Sequence, residues 1–127
     1  LWTLPAASEA LRAWRAVAPA GRLVLVEGSW GDEHGLARWR SEGRRLLTRA
    51  RRVPPDHHGR YSDELLASLP YSGGISPDEA VSLVEASGWG GARIERLRDV
   101  EWAILQHRGV LDQLLGTHAR WAVVAGS

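Results

Sequence analysis

The segment Pro19-Ala20-Gly21-Arg22-Leu23-Val24-Leu25-Val26-Glu27-Gly28 constrains this chain more than any other. A turn leads into an apolar run without a polar break, and the run stops at an acid and a glycine. A strand with one wet face alternates apolar and polar residues, whereas an unbroken apolar run marks a strand covered on both faces. The pattern predicts an inner strand over residues 22–28, set in a parallel sheet between helices. Ligands of open sheets of this kind bind just beyond the carboxyl ends of the strands. Glu27, Gly28, Ser29 and Trp30 therefore stand where a ligand site is expected.

The flanking residues supply the helices that such a sheet needs. Ser8 is a candidate N-cap with Glu9 in the first turn, and Leu11, Trp14 and Val17 recur at helical spacing before Pro19 and Gly21 end the helix. Ser76-Pro77-Asp78-Glu79 combines a capping serine, a proline at the first helical position and a glutamate that closes a capping box. Ala80, Val81, Leu83 and Val84 give that helix its buried face, and Gly88 is its stop. Residues 92–97 and 119–125 read as two late strands, joined by a mostly polar, partly helical stretch from Val100 to Leu115. A long connection fits an antiparallel pair at a sheet edge.

Between the first strand and Ser76 the pattern loosens. Leu36, Trp39, Leu46, Leu47 and Ala50 can share one helical face, interrupted by Gly43. Arg38, Arg40, Arg44, Arg45 and Arg49 decorate the other sides. Residues 51–59 read as an exposed loop, and a short helix around Ser62–Ser68 follows.

Composition narrows the chemistry. At 127 residues the chain is the size of one domain. No apolar run approaches the roughly 20 residues that span a bilayer, and no basic leader with a small-residue cleavage site is present. A cytoplasmic location is the default expectation. The absence of cysteine excludes disulfides, thiolate nucleophiles and cysteine metal sites. All 16 basic residues are arginine, so Schiff-base chemistry is excluded as well. The chain opens at Leu1 and has no methionine, and it is expected to be a fragment or a processed piece.

The net charge of +1 does not imply nucleic acid. Residues 38–60 nevertheless hold eight arginines against Glu42 and Asp56, a local +6. Such a run reads as a solvated helix face, or as a lid or acceptor-pocket wall. Aromatic residues for base stacking are too few among these arginines, so neither nucleic acid nor a membrane is expected as a partner. His34, His57, His58, His107 and His118 lack the spacing that presents two imidazoles to one ion, and no metal site is expected.

Taken together, these residues resemble the C-terminal half of a class I S-adenosylmethionine-dependent methyltransferase. Leu1-Trp2-Thr3-Leu4-Pro5 looks like the segment leaving the family's fourth strand. Residues 11–28 are similar to its next helix, its "P-G-G" turn and its fifth strand, with Ala20 in place of the first glycine. Ser76–Gly88 looks like the following helix, and Gly88-Trp89 like a helix-to-strand junction common in the family. Ala92–Leu97 and Arg120–Ala125 resemble the sixth and seventh strands, the last inserted antiparallel.

The resemblance implies an α/β fold, the C-terminal half of a Rossmann-like methyltransferase sheet with a parallel strand, a terminal antiparallel pair and flanking helices. Residues 30–75 form a lid-like insertion in this reading. S-adenosylmethionine is the implied cofactor, with Leu1, Trp2 and Thr3 beside it and Leu4 and Trp30 beside a small-molecule acceptor. Trp30 equally suits core packing. Glu27 is the candidate to orient or deprotonate the acceptor, and the plainer alternative is a solvated or helix-capping acid. The family's glycine-rich loop and its ribose-binding acid belong to an N-terminal half that this sequence lacks. The chain is therefore expected to be inactive alone and to associate with that missing half or with a second copy. The alternative function is a non-catalytic module that joins another chain through an open sheet edge.

Overall fold

The computed structural model describes residues 1, 4–28, 36–51 and 62–126. Helix α1 (Ala7–Val17) leads into strand β1 (Leu23–Gly28), and α2 (Leu36–Ala50) and α3 (Asp63–Ser68) follow. Helix α4 (Pro77–Ala86) then precedes β2 (Arg93–Arg96), α5 (Arg98–Gln106), α6 (Val110–Leu115) and β3 (Arg120–Ala125). The fold is mixed α/β.

The three strands make one sheet in the order β1-β3-β2, with β3 antiparallel to both neighbours. Leu25 pairs with Val123 on one side, and Ile94 pairs with the same Val123 on the other. The expected strands at 22–28, 92–97 and 119–125 all form, each trimmed by a residue or two. Two expectations for β1 do not hold. No parallel ladder occurs among the described residues, because β1 and β2 point the same way with β3 wedged between them. Nor is β1 covered on both faces: Val24 and Val26 are 56% and 58% exposed. The strand buried on both faces is β3, where every residue from Trp121 to Ala125 is at most 6% exposed.

Side chains alternate across a strand, so Leu23 and Leu25 share a face with Trp121, Val123 and Ala125. That face receives both α1 and α4. Leu11 of α1, Ala80 and Val84 of α4, Ile75 and Trp89 join it in a single core cluster. Trp89 clamps the layers together: its Nε1 donates to the Leu11 carbonyl at 3.0 Å in a buried hydrogen bond. The Arg15 guanidinium lies over the same ring, 5.1 Å from its centroid.

Local chemistry explains the helix ends. Ser76 accepts from the Glu79 N–H while the Glu79 carboxylate accepts from the Ser76 N–H, closing the expected capping box, and Pro77 opens the helix. The Ser76 hydroxyl, then its N–H, hold the Glu79 carboxyl below the usual value. Gly88, with φ of 88°, ends α4 in a conformation that few other residues adopt. Helix α1 departs from its expected cap. It starts at Ala7 with Ala6 as N-cap and no side-chain hydrogen bond, because the turn at residues 5–6 already delivers the chain into the helix. Its apolar face also narrows to Ala7 and Leu11, since Trp14 and Val17 remain exposed.

Helices α2, α5 and α6 pack together beyond the sheet. Gly43 does not interrupt α2; it is the contact point, since a Cβ there would stand 2.7 Å from Leu115 Cδ2. Arg44 donates to the Leu115 carbonyl at 3.0 Å, and Arg51 pairs with Asp112 at 2.7 Å. The apolar face expected of α2 is consequently not its packing face. Leu47 is half-buried beside Gly43, while Trp39, Leu46 and Ala50 are exposed.

Leu11 is fully buried and Val17 is 86% exposed. Leu11→Ala should therefore cost about 2–5 kcal/mol, and Val17→Ala no more than about 0.5 kcal/mol. Urea unfolding midpoints measure both, and equal losses would show that α1 is not held by this core.

Candidate functional site at the carboxyl end of β1

β1 ends at Glu27 and Gly28, which lie opposite Trp121 and Arg120 of β3. The alternation of the strand turns Glu27 toward the helix-covered face and leaves it only 11% exposed. Its carboxylate accepts from the Leu1 amino group, whose side chain is 1% exposed against the core cluster. A turn carries the chain onward, with the Leu4 N–H donating to the Leu1 carbonyl at 2.9 Å. The sequence places Leu1 and Glu27 in one site, and the structure brings these two together, with half-buried Leu4 close by in the chain. Trp2, Thr3, Ser29 and Trp30 lie outside the described residues, as do His34, His57 and His58.

Two buried donors sit at the same end of the sheet. Trp121 Nε1 and Arg120 Nε have no hydrogen-bond partner among the described residues. A buried donor left unfilled costs about 1–3 kcal/mol, so each has a reason to take an acceptor atom. Trp121, paired with Glu27, shares its face, whereas Arg120 projects from the opposite face of the sheet, so only the indole donor stands beside the carboxylate.

The implied methyl donor finds only part of a site here. Of Leu1, Trp2 and Thr3, the residues that the resemblance puts beside it, only Leu1 lies among the described residues, next to Glu27. Nothing in the sequence supplies the glycine-rich turn that would hold the carboxypropyl end, or the acid that would hold the ribose. No chemical step through the cofactor follows from these residues alone. Among the described residues no three His, Asp or Glu side chains gather as metal ligands.

The same end of the sheet is braced by residues that no sequence pattern singles out. Glu101, in the first turn of α5, accepts from the Arg96 Nε at 2.8 Å and from the Arg120 N–H at 2.6 Å. The brace joins β2, α5 and β3 directly across from Gly28. Burial pushes the Glu101 carboxyl up, but the Arg96 side chain and the Arg120 N–H outweigh this and hold it below the ordinary value. The Arg96 guanidinium is correspondingly held up by its bond to Glu101. Only strand register reveals this grouping, because the two partners are five and nineteen positions from Glu101.

Because the folded carboxyl titrates below the unfolded one, at about 4.3, the unfolded chain takes up the proton first as pH falls. The contribution of Glu101 is then complete above the unfolded value and is lost as pH drops through the folded one. Glu101→Gln should cost about 1–2 kcal/mol at neutral pH, reduced by solvent screening of the half-exposed Arg96. Urea midpoints across acidic pH should show wild type and variant converging. A gap that widened on acidification would refute the brace.

Comparison with protein-family models, with curated proteins and with solved structures finds no match for this chain.

Proposed function

We propose that this chain forms the C-terminal half of an S-adenosylmethionine-dependent methyltransferase that acts on a small-molecule acceptor. The observation that carries the reading is the sheet order. The last strand lies between the other two and runs against both, the insertion that the sequence resemblance implies. Two further features support it. Helices α1 and α4 pack on one face of the sheet, and in a doubly wound sheet helices from the other half cover the opposite face. Val24 and Val26 are exposed on that opposite face. Leu1 also sits beside the carboxyl end of β1, where the segment leaving a neighbouring parallel strand would arrive.

In such a reaction the sulfonium activates its own methyl group, and the protein contributes position and a dry cavity. A chain without the cofactor cradle cannot position the methyl, so it is inactive alone in this reading. Calorimetric titration with S-adenosylmethionine tests it. The chain alone should give no saturable heat, and a longer polypeptide encoding a glycine-rich strand-turn-helix in frame ahead of Leu1 should bind. Absence of that motif upstream, or a longer polypeptide that fails to bind, would overturn the reading.

One observation favours a second reading, a non-catalytic module that joins another chain. The outer edge of β1 has no strand partner among the described residues, and the valines beside it are exposed. Unpaired edges and bare apolar faces promote association. The chain should associate at micromolar concentration in analytical sedimentation. Val26→Lys, at an exposed position, should shift it toward monomer at a stability cost within about 0.5 kcal/mol. A monodisperse wild-type monomer would dispose of this second reading.

A further inference from the structure

The mechanism leaves α2 unused. Its arginines line a 15-residue helix, Leu36–Ala50, that lies beside α6 and touches it through Gly43 and Arg44. At 100° per residue, Trp39, Leu46 and Ala50 fall within a narrow stripe of the helix. Trp39 is 67% and Leu46 64% exposed. Arg38, Arg45 and Arg49, all exposed, form a second stripe beside the first, on the side away from Leu47. One acid, Glu42, falls between the two stripes and is bonded to Arg38 at 3.3 Å, so this side of the helix keeps a net positive charge from Arg45 and Arg49.

We propose that α2 docks on an anionic lipid surface, with Trp39 and Leu46 entering the headgroup boundary and Arg38, Arg45 and Arg49 meeting the lipid phosphates. A helix with a Trp- and Leu-bearing face, an arginine-rich face and low net hydrophobicity lies in the plane of an interface. No spanning segment is needed for this, so it does not matter that no helix among the described residues is long and apolar enough to cross a membrane. The inference is independent of the proposed methyltransferase reading.

Charge and packing choose this occupant over the others. A second copy of α2 would bring one strongly positive helix against another. A groove that wraps a basic amphipathic helix would have to displace α6, which Arg44 and Gly43 hold in place. A flat surface needs only the stripe that is already exposed. Nucleic acid would satisfy the arginines, yet its phosphates offer nothing to Leu46, whereas acyl chains do.

Co-sedimentation with vesicles tests the proposal on the chain as it stands. The chain should pellet with vesicles of phosphatidylcholine containing phosphatidylglycerol and not with phosphatidylcholine alone, and added salt should release it as the field is screened. Each basic residue near such a surface contributes roughly a fivefold factor. The charge reversal Arg45→Glu with Arg49→Glu, both at exposed positions, should weaken binding by about 25-fold or more. Trp39→Ser should weaken it without abolishing the salt dependence. Unchanged circular dichroism of the variants shows that the fold is intact, and the salt series on the wild type needs no variant at all. No binding to the anionic vesicles, equal binding to both vesicle types, or a DNA duplex that competes the chain off the vesicles would each overturn the proposal.

Discussion

The fold depends on β3 lying between β1 and β2. All strand pairing in the described sheet passes through this one element, and neither edge strand touches the other. The position dictates the residue types. A central strand in this sheet is shielded by a strand on each side as well as by helices on one face, so Trp121 to Ala125 are buried in sequence. Edge strands answer to a different constraint. β2 is exposed along its length and carries Arg93, Glu95 and Arg96, and charges of this kind discourage further pairing. β1 carries no such protection on its outer side. Among the described residues the two edges of one sheet thus differ, with charges along β2 and exposed valines beside the outer edge of β1.

Around that sheet, polar contacts decide how the helices sit. Trp89 is one of two tryptophans in the core cluster and a donor to the Leu11 carbonyl, so one side chain fixes α1 relative to the end of α4. Glu101 performs the equivalent task on the far end, drawing α5 to β2 and β3. The two contacts differ in environment. The indole bond is buried and hardly screened, whereas the Glu101–Arg96 pair is partly wet, with its arginine 49% exposed. The site end of the sheet thus rests on a pH-sensitive contact and the opposite core on a pH-insensitive one.

Helix α2 occupies a different regime from the rest. Its apolar stripe is amphipathic by pattern and yet remains in water, because the side turned to α6 is the one that carries Gly43, against which the Leu115 side chain packs. The consequence is a surface that combines large apolar side chains with a net positive charge, the combination on which the anionic-surface inference rests.

The sequence by itself determined where the strands fall, the capping box at Ser76–Glu79, the stop at Gly88 and the α/β class. Each of these depends on neighbours within a few positions, where side-chain period and backbone preference act directly. It also placed Glu27 at a strand end. Only the tertiary structure decided which of two apolar runs is the inner one. Leu23–Val26 and Trp121–Val124 look alike as strings of residues, and burial belongs to the strand that acquires two neighbours, a property of pairing over about a hundred positions. The same holds for the Glu101 brace, for the Trp121 donor beside Glu27, and for the rotation of α2, since register and close approach come into being only when distant segments meet.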